Sequence, residues 1–259
     1  MTLLKVANLS HQFRGLKAVS ELSFEVARGE ILGLIGPNGA GKTTVVNLIS
    51  GVLRPRSGKV EFADADVTGL PPHRLAQLGL ARTFQSTVVY GSRTVYENAL
   101  RGAFLRLYPG FIHCLLGTRR ARSMKQDADV HVAQLLEWLN LNSLASNIAG
   151  SLPYGYQKLL GIVIALAVQP TCVLLDEPVA GLSAEESNHV RDTILRVRER
   201  GITVVVIDHN MRFISGLCDR VVVMHHGQEL AQGVPREVLS DPRVIEAYLG
   251  RSHGAARRK

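Results

Sequence analysis

Residues 36–44 read Gly-Pro-Asn-Gly-Ala-Gly-Lys-Thr-Thr. They fit Gly-x-x-x-x-Gly-Lys-[Ser/Thr] with Gly36, Gly41, Lys42 and Thr43 in the defining places. The glycines let the backbone curl so that successive N–H groups face phosphate oxygens, and a following helix directs its positive end at the same spot. Lys42 adds a point charge for the β- and γ-phosphates, and the Thr43 hydroxyl is a ligand for Mg²⁺. The candidate loop is therefore Gly36, Pro37, Asn38, Gly39, Ala40, Gly41, Lys42, Thr43 and Thr44. An apolar run, Glu30–Ile35, precedes it and a helical pattern starts at Lys42, the context such a loop requires. The implied ligand is a nucleoside triphosphate.

A second candidate is Val-Leu-Leu-Asp-Glu-Pro at 173–178. An apolar strand ending in an acid puts Asp176 at the carboxyl edge of a sheet, where ligands collect in open α/β folds. There Asp176 can hold Mg²⁺ through water, and Glu177 is free to polarise an attacking water as general base. Strand-then-acid is a weak pattern alone and a strong one beside a phosphate loop. His209 follows an apolar run ending at Ile207 and belongs to the same edge, where an imidazole can donate to a γ-phosphate. Taken singly it reads as a loop residue. Gln85, in Arg-Thr-Phe-Gln, says nothing by itself, and His225-His226 without further ligands reads as turn surface. Residues 152–160, Leu-Pro-Tyr-Gly-Tyr-Gln-Lys-Leu-Leu, fit either an ordinary helix start or a worn nucleotide-contacting signature.

These residues need a scaffold, and the pattern of apolar runs supplies one. Leu3–Val6, Glu21–Val26 and Lys59–Phe62 read as strands bounded by turn residues. Cys172–Leu175, Ile202–Ile207 and Arg220–Met224 are short and continuously apolar, as expected of parallel strands buried on both faces. Helical segments between them complete a parallel sheet wrapped by helices. Between Val88 and Ala149 the pattern changes: Val132, Leu135, Leu136 and Leu139 follow helical spacing and no strand-like run intervenes. That stretch reads as a helical insertion, 88–149, in a core formed by 1–87 and 150–259. Gly227 turns Val221–Met224 back into Glu229–Ala231 as a hairpin, and Pro235 opens a final helix broken or bent near Pro242.

Composition narrows the class. The chain has 259 residues, 46% hydrophobic and 20% charged, which is ordinary for an α/β protein and excludes disordered or fibrous classes. A net charge of +8 raises nucleic acid or an anionic surface as partners, but much of the excess sits in Arg119, Arg120, Arg122, Lys125 and the tail 257–259. Solvated basic faces account for both clusters. Cys114, Cys172 and Cys218 are odd in number and far apart, which argues against a disulfide framework or zinc site and for a reducing compartment. Residues 1–12 lack the layout of a signal peptide. The stretch Ala103–Gly117 carries Arg106, Pro109 and His113 and falls short of the roughly 20 apolar residues of a spanning helix. The expectation is a chain that does not cross a membrane.

Taken together, the loop at 36–44, Gln85, the 152–157 stretch, Leu-Leu-Asp-Glu-Pro at 174–178, Ala-Gly-Leu-Ser at 180–183 and His209 resemble the ATP-binding subunits of ABC transporters over nearly the whole chain. The resemblance implies a RecA-like P-loop NTPase core with a parallel sheet, an antiparallel β subdomain and an inserted helical subdomain. It implies ATP and Mg²⁺ as ligands and ATP hydrolysis as the activity. Under it, Phe13 stacks on adenine and Gln85 reaches Mg²⁺ and the attacking water. Glu177 is the base, His209 contacts the γ-phosphate, and 180–183 touches a partner ATPase across two sandwiched ATP molecules. Phe-Arg-Gly-Leu-Lys-Ala-Val at 13–19, Ala-Arg-Thr-Phe-Gln at 81–85, Asp-Glu-Pro-Val-Ala-Gly-Leu at 176–182 and the ending at 244–250 resemble the branched-chain amino acid importers, whose relatives carry urea, amides or other small solutes. The chain is similar to the longer of that branch's two ATPases. Implied partners are a second ATPase subunit (a copy or a sister), two integral membrane permeases and an extracytoplasmic solute-binding protein, on the cytoplasmic face of the inner membrane.

The family signature Leu-Ser-Gly-Gly-Gln corresponds here to Leu152, Pro153, Tyr154, Gly155 and Tyr156, so Leu152 and Gly155 are kept and three places differ. Pro suits a helix start, and the amides of Gly155 and Tyr156 are expected to face a phosphate. The departure keeps open a subunit that binds ATP and scarcely hydrolyses it. An ABC-type ATPase acting on nucleic acid is the rival of another class, and it lacks support from a second phosphate loop, zinc-spaced cysteines or a sustained heptad run.

Overall fold

A computed structural model of the chain describes residues 1–83, 89–107 and 118–249, with backbone alone at 105–107, 120 and 121. Gln85, Cys114 and the basic tail lie outside the described residues.

Among the described residues the central sheet has six strands: β3 (Ile31–Ile35), β6 (Leu80–Arg82), β7 (Cys172–Asp176), β8 (Thr203–Ile207), β9 (Arg220–His225) and β10 (Gln228–Gly233). Their spatial order is β10-β9-β3-β8-β7-β6, parallel throughout except for the β9–β10 hairpin. Every residue of β3, β7 and β8 is buried, as their unbroken apolar character requires. Register sets where these strands stop. Leu34 and Asp176 both lie opposite Ile207, so β3, β8 and β7 end in line. The segments after Ile35, Asp176 and Ile207 leave the sheet side by side at its carboxyl edge.

A second, antiparallel sheet contains β1 (Thr2–Phe13), β2 (Leu16–Ala27), β4 (Ser57–Phe62) and β5 (Ala65–Asp66) in the order β2-β1-β4-β5. Its buried residues, Leu4, Val6, Leu9, Phe24, Val60 and Phe62 among them, join Leu32, Leu34, Leu174, Val205 and Val222 from one face of the central sheet. Helix α1 (Lys42–Ile49) lies in this layer through Val45, Val46, Leu48 and Ile49. The other face, through Val173, Leu175, Val204, Val206, Val221 and Val223, packs on a separate helical core. Alternation of side chains along buried strands thus builds two cores from one sheet.

The helical core involves α3 (Val95–Leu107), α4 (Arg119–Trp138), α5 (Tyr154–Leu166) and α6 (Ala184–Glu199), while α2 (Pro72–Leu78) leads into β6. Gly102 of α3 lets the backbone of α5 come close, since a Cβ there would stand 2.2 Å from the Ile164 carbonyl. Short α7 (Met211–Ser215) precedes β9. The C-terminal stretch breaks into α8 (Pro235–Val238) and α9 (Pro242–Leu249), the interruption falling at Pro242 as expected.

Several boundaries differ from the sequence reading. The strands expected at Leu3–Val6 and Glu21–Val26 extend to 12 residues each, because β1 and β2 pair with one another well past their apolar centres. Strand β6 escapes the sequence pattern; three residues carry too little periodicity to register, and its place is set by pairing with β7. Leu139 falls just beyond the end of α4 and is nonetheless buried.

Candidate nucleotide site

The turn after β3 holds Gly36, Gly39 and Gly41 at φ of 150°, 80° and 101°. Side chains are excluded there by more than φ: a Cβ on Gly36 would stand 2.2 Å from the Met224 carbonyl oxygen, and one on Gly41 2.4 Å from that of Ala18. Ala40 is buried and its carbonyl accepts the Gly227 amide at 3.0 Å. The first helical bond of α1 runs from Val45 N–H to Gly41 C=O, at 3.0 Å, so the amides ahead of it have no helical acceptor. Thr43 is exposed at this end. Lys42 is buried, and its Nζ donates to the carbonyls of Gly36 at 2.7 Å and Pro37 at 3.0 Å. Burial lowers the Lys42 pKa, opposed by the carboxylates of Glu177, Asp176 and Asp208. A buried cation held by two loop carbonyls in the field of three acids, beside amides with no helical acceptor, suits a polyphosphate carrying its own divalent ion.

At the end of β7, Asp176 is buried and its Oδ2 accepts from Arg82 Nη2 at 2.8 Å. Arg82 Nη1 also donates to Asn47 Oδ1 at 2.6 Å and Ser50 Oγ at 2.9 Å, which ties β6 and α1 to the acid. The Asp176 amide donates to Thr83 Oγ1 at 3.3 Å. Glu177 sits at φ 48°, a conformation uncommon for a side-chain-bearing residue, and its amide donates to the Ile207 carbonyl at 2.7 Å. Lys158, buried on α5, donates to the Glu177 carbonyl at 3.1 Å. The backbone is thus clamped from two sides while the Glu177 side chain remains 27% exposed.

Beyond β8, Asp208 is buried and its Oδ1 accepts from the amides of His209 at 2.8 Å and Asn210 at 2.9 Å. Burial raises the Asp208 pKa, and these amides partly offset it. The turn so fixed presents His209 to solvent with its Nδ1 3.9 Å from Glu177 Oε1. Lys42, Asp176, Glu177 and His209, distant in the chain, therefore meet at one edge.

Two further expected contacts lie apart. Phe13, 45% exposed, ends β1 with its ring edge-on to His11, centroids 4.6 Å apart. Leu152 is buried, and Pro153 caps α5 with Tyr154, Gly155 and Tyr156 in its first turn. The Tyr156 amide is turned into the helix and donates to the Pro153 carbonyl at 3.0 Å. This corrects the expectation that both the Gly155 and Tyr156 amides face outward: the first turn tightens and uses one of them. Gln85 lies outside the described residues.

Sequence reasoning missed Arg82, Thr83, Lys158 and Asp208. Their signal is faint: Arg82 and Thr83 precede Gln85, Lys158 is a lone charge in an apolar helix, and Asp208 adjoins His209. Only the pairing of β6 with β7 and the crossing of α5 bring the first three to the acids.

A family model described as ABC transporter matches residues 19–180, and one described as branched-chain amino acid ATP-binding cassette transporter matches 228–254. The high-affinity branched-chain amino acid transport ATP-binding protein BraF of Pseudomonas aeruginosa is 36% identical over 249 residues, covering 96% of this chain and 98% of BraF. LivG of Escherichia coli K12, bearing the same description, is 38% identical over 249 residues with coverage of 96% and 98%. Among solved structures, the ADP conformation of MJ1267, an ATP-binding cassette of an ABC transporter, superposes with a TM-score of 0.86 at 33% identity, covering 96% of this chain and 99% of that one.

Proposed function

The chain belongs to the ATP-binding subunits of ABC transporters, and from that premise we propose that it powers uptake of branched-chain amino acids by hydrolysing ATP at the edge formed by β3, β7 and β8. The observation that carries the reading is the register that ends these strands in line and gathers Lys42, Asp176, Glu177 and His209. Support for the solute comes from the match over 228–254 and from the descriptions of BraF and LivG.

Each residue then has a task. The amides at the start of α1 and the Lys42 ammonium hold the phosphates, and Phe13 offers its exposed ring to the adenine. Glu177 takes the proton of the water that attacks the γ-phosphorus as the bond to the β-phosphate oxygen breaks. Its clamped backbone fixes where that carboxylate can reach. His209, oriented by Asp208, donates to a γ-phosphate oxygen. The Thr43 hydroxyl and, through water, Asp176 would hold Mg²⁺, whose charge would neutralise the phosphates. Asp176 has a double engagement in this scheme, since Arg82 already holds one of its oxygens.

The first turn of α5, with Leu152, Gly155 and Tyr156, and the 180–183 turn meet the ATP held by a second ATPase subunit, a copy or a sister chain. Two membrane permeases and an extracytoplasmic solute-binding protein complete the importer. Among the described residues no helix is long and apolar enough to cross a membrane. On this reading the chain sits peripherally on the cytoplasmic face of the inner membrane, docked on its permeases. Glu177→Gln tests the mechanism: nucleotide binding stays and turnover falls by about 10² or more. Turnover at the native rate refutes the assignment of the base.

A further inference from the structure

The first turn of α5 rests on the segment that begins α6. Ser183 and Glu186 form a reciprocal cap: the Ser183 amide donates to Glu186 Oε2 at 2.9 Å, and the Glu186 amide donates to Ser183 Oγ at 3.3 Å. That uses one carboxylate oxygen. The other, Oε1, lies 2.8 Å from where a Cβ on Gly155 would stand, with Cδ and Cγ at 3.2 Å, so the carboxylate occupies space that only glycine leaves open. The Tyr154 ring covers Gly181, 3.3 Å from the corresponding Cβ position, and Tyr156 meets His189 edge-on with centroids 6.2 Å apart. The Tyr156 amide is consumed within the helix. The Gly155 amide precedes the helical ladder and faces Glu186, helping to hold that carboxylate's pKa low after the larger contributions from Ser183.

We propose that Glu186 is a positioning residue for the signature: it ties the first turn of α5 to the 180–183 turn and keeps a negative charge where a partner-bound phosphate must approach. The inference rests on the reading that this turn meets ATP held by the partner subunit. A phosphate arriving there has to share or displace an anion already seated at the helix start, so Glu186 sets the ATP concentration at which the two subunits close. It accounts for a glycine retained at 155 between two tyrosines, and for a glutamate whose second oxygen exceeds what the cap needs.

The test uses the full chain with its ATPase partner, a second copy or a sister, in a Glu177→Gln background that blocks hydrolysis. ATP-dependent association is titrated with and without Glu186→Gln. Glutamine preserves size and the reciprocal cap and removes the charge. The half-maximal ATP concentration should fall about two- to fivefold, the range for one charge at a helix terminus, with the melting midpoint lowered by no more than about 4 °C and the difference shrinking at high salt. An unchanged or higher half-maximal concentration overturns the proposal. Gly155→Asp, which also displaces Glu186, tests whether this turn meets the partner's ATP at all, whereas Glu186→Gln tests Glu186 alone. Should Gly155→Asp abolish association while Glu186→Gln changes nothing, Glu186 has no such role and the signature reading stands. Should Gly155→Asp leave association intact, or the parent fail to associate with ATP, the signature reading itself falls.

Discussion

Removing the Arg82 guanidinium should cost the fold several kcal/mol, because it strips a buried acid of its partner. Arg82 and Asp176 are 8% and 2% exposed at their side chains and meet at 2.8 Å. Truncating one member of a buried pair leaves its partner's charge uncompensated, at about 3–5 kcal/mol. The Arg82→Ala variant also frees Asn47 Oδ1 and Ser50 Oγ from their shared donor. The Lys42 ammonium sits in the field of Asp176 and softens the loss, which favours the lower end of that range. For a chain of this size 1 kcal/mol moves the melting midpoint by about 2–4 °C, so Arg82→Ala should lower it by about 6–20 °C. Scanning calorimetry of the nucleotide-free chain reads this directly. The double variant Arg82→Met with Asp176→Leu removes both charges and should regain most of the loss, as apolar replacement of buried pairs often does. A shift below about 2 °C for Arg82→Ala, or a double variant worse than the sum of the singles, refutes the account.

Two other outcomes are expected from the site and its surroundings. Lys42→Ala should abolish thermal stabilisation by Mg²⁺-ATP, which for the native chain amounts to about 2.7 kcal/mol at a hundredfold excess over the dissociation constant; calorimetry with and without nucleotide checks it, and equal stabilisation in the variant overturns the phosphate-loop assignment. Burial pushes the Cys172 and Cys218 thiols up to about 12. At pH 8 both are therefore neutral, and iodoacetamide should label the peptides carrying them only after denaturation; rapid labelling of the native chain, read by mass spectrometry, contradicts their burial.

Legibility in the sequence differs from residue to residue. The phosphate loop is legible because its chemistry is local: Gly36, Gly41, Lys42 and Thr43 act through backbone conformation and a helix start encoded within nine residues. Buried strands β3, β7 and β8 are legible because a strand covered on both faces needs an unbroken apolar run. Strand β6 is not, since three residues draw their identity from the neighbour they pair with. Arg82 and Lys158 are missed for the same reason: a charge becomes meaningful when burial gives it one partner, and burial is a property of the fold. The signature is readable as a departure in residue types, while the turning-in of the Tyr156 amide is not.

The sequence by itself determined which chemical groups the protein has for ATP and the elements that carry them, because those depend on spacing within a few residues. Tertiary structure decided the register that ends β3, β7 and β8 in line, that Arg82 holds Asp176, and that Glu186 sits against Gly155. These are pairings between segments far apart in the chain, set by strand register and helix crossing, and no local pattern contains them.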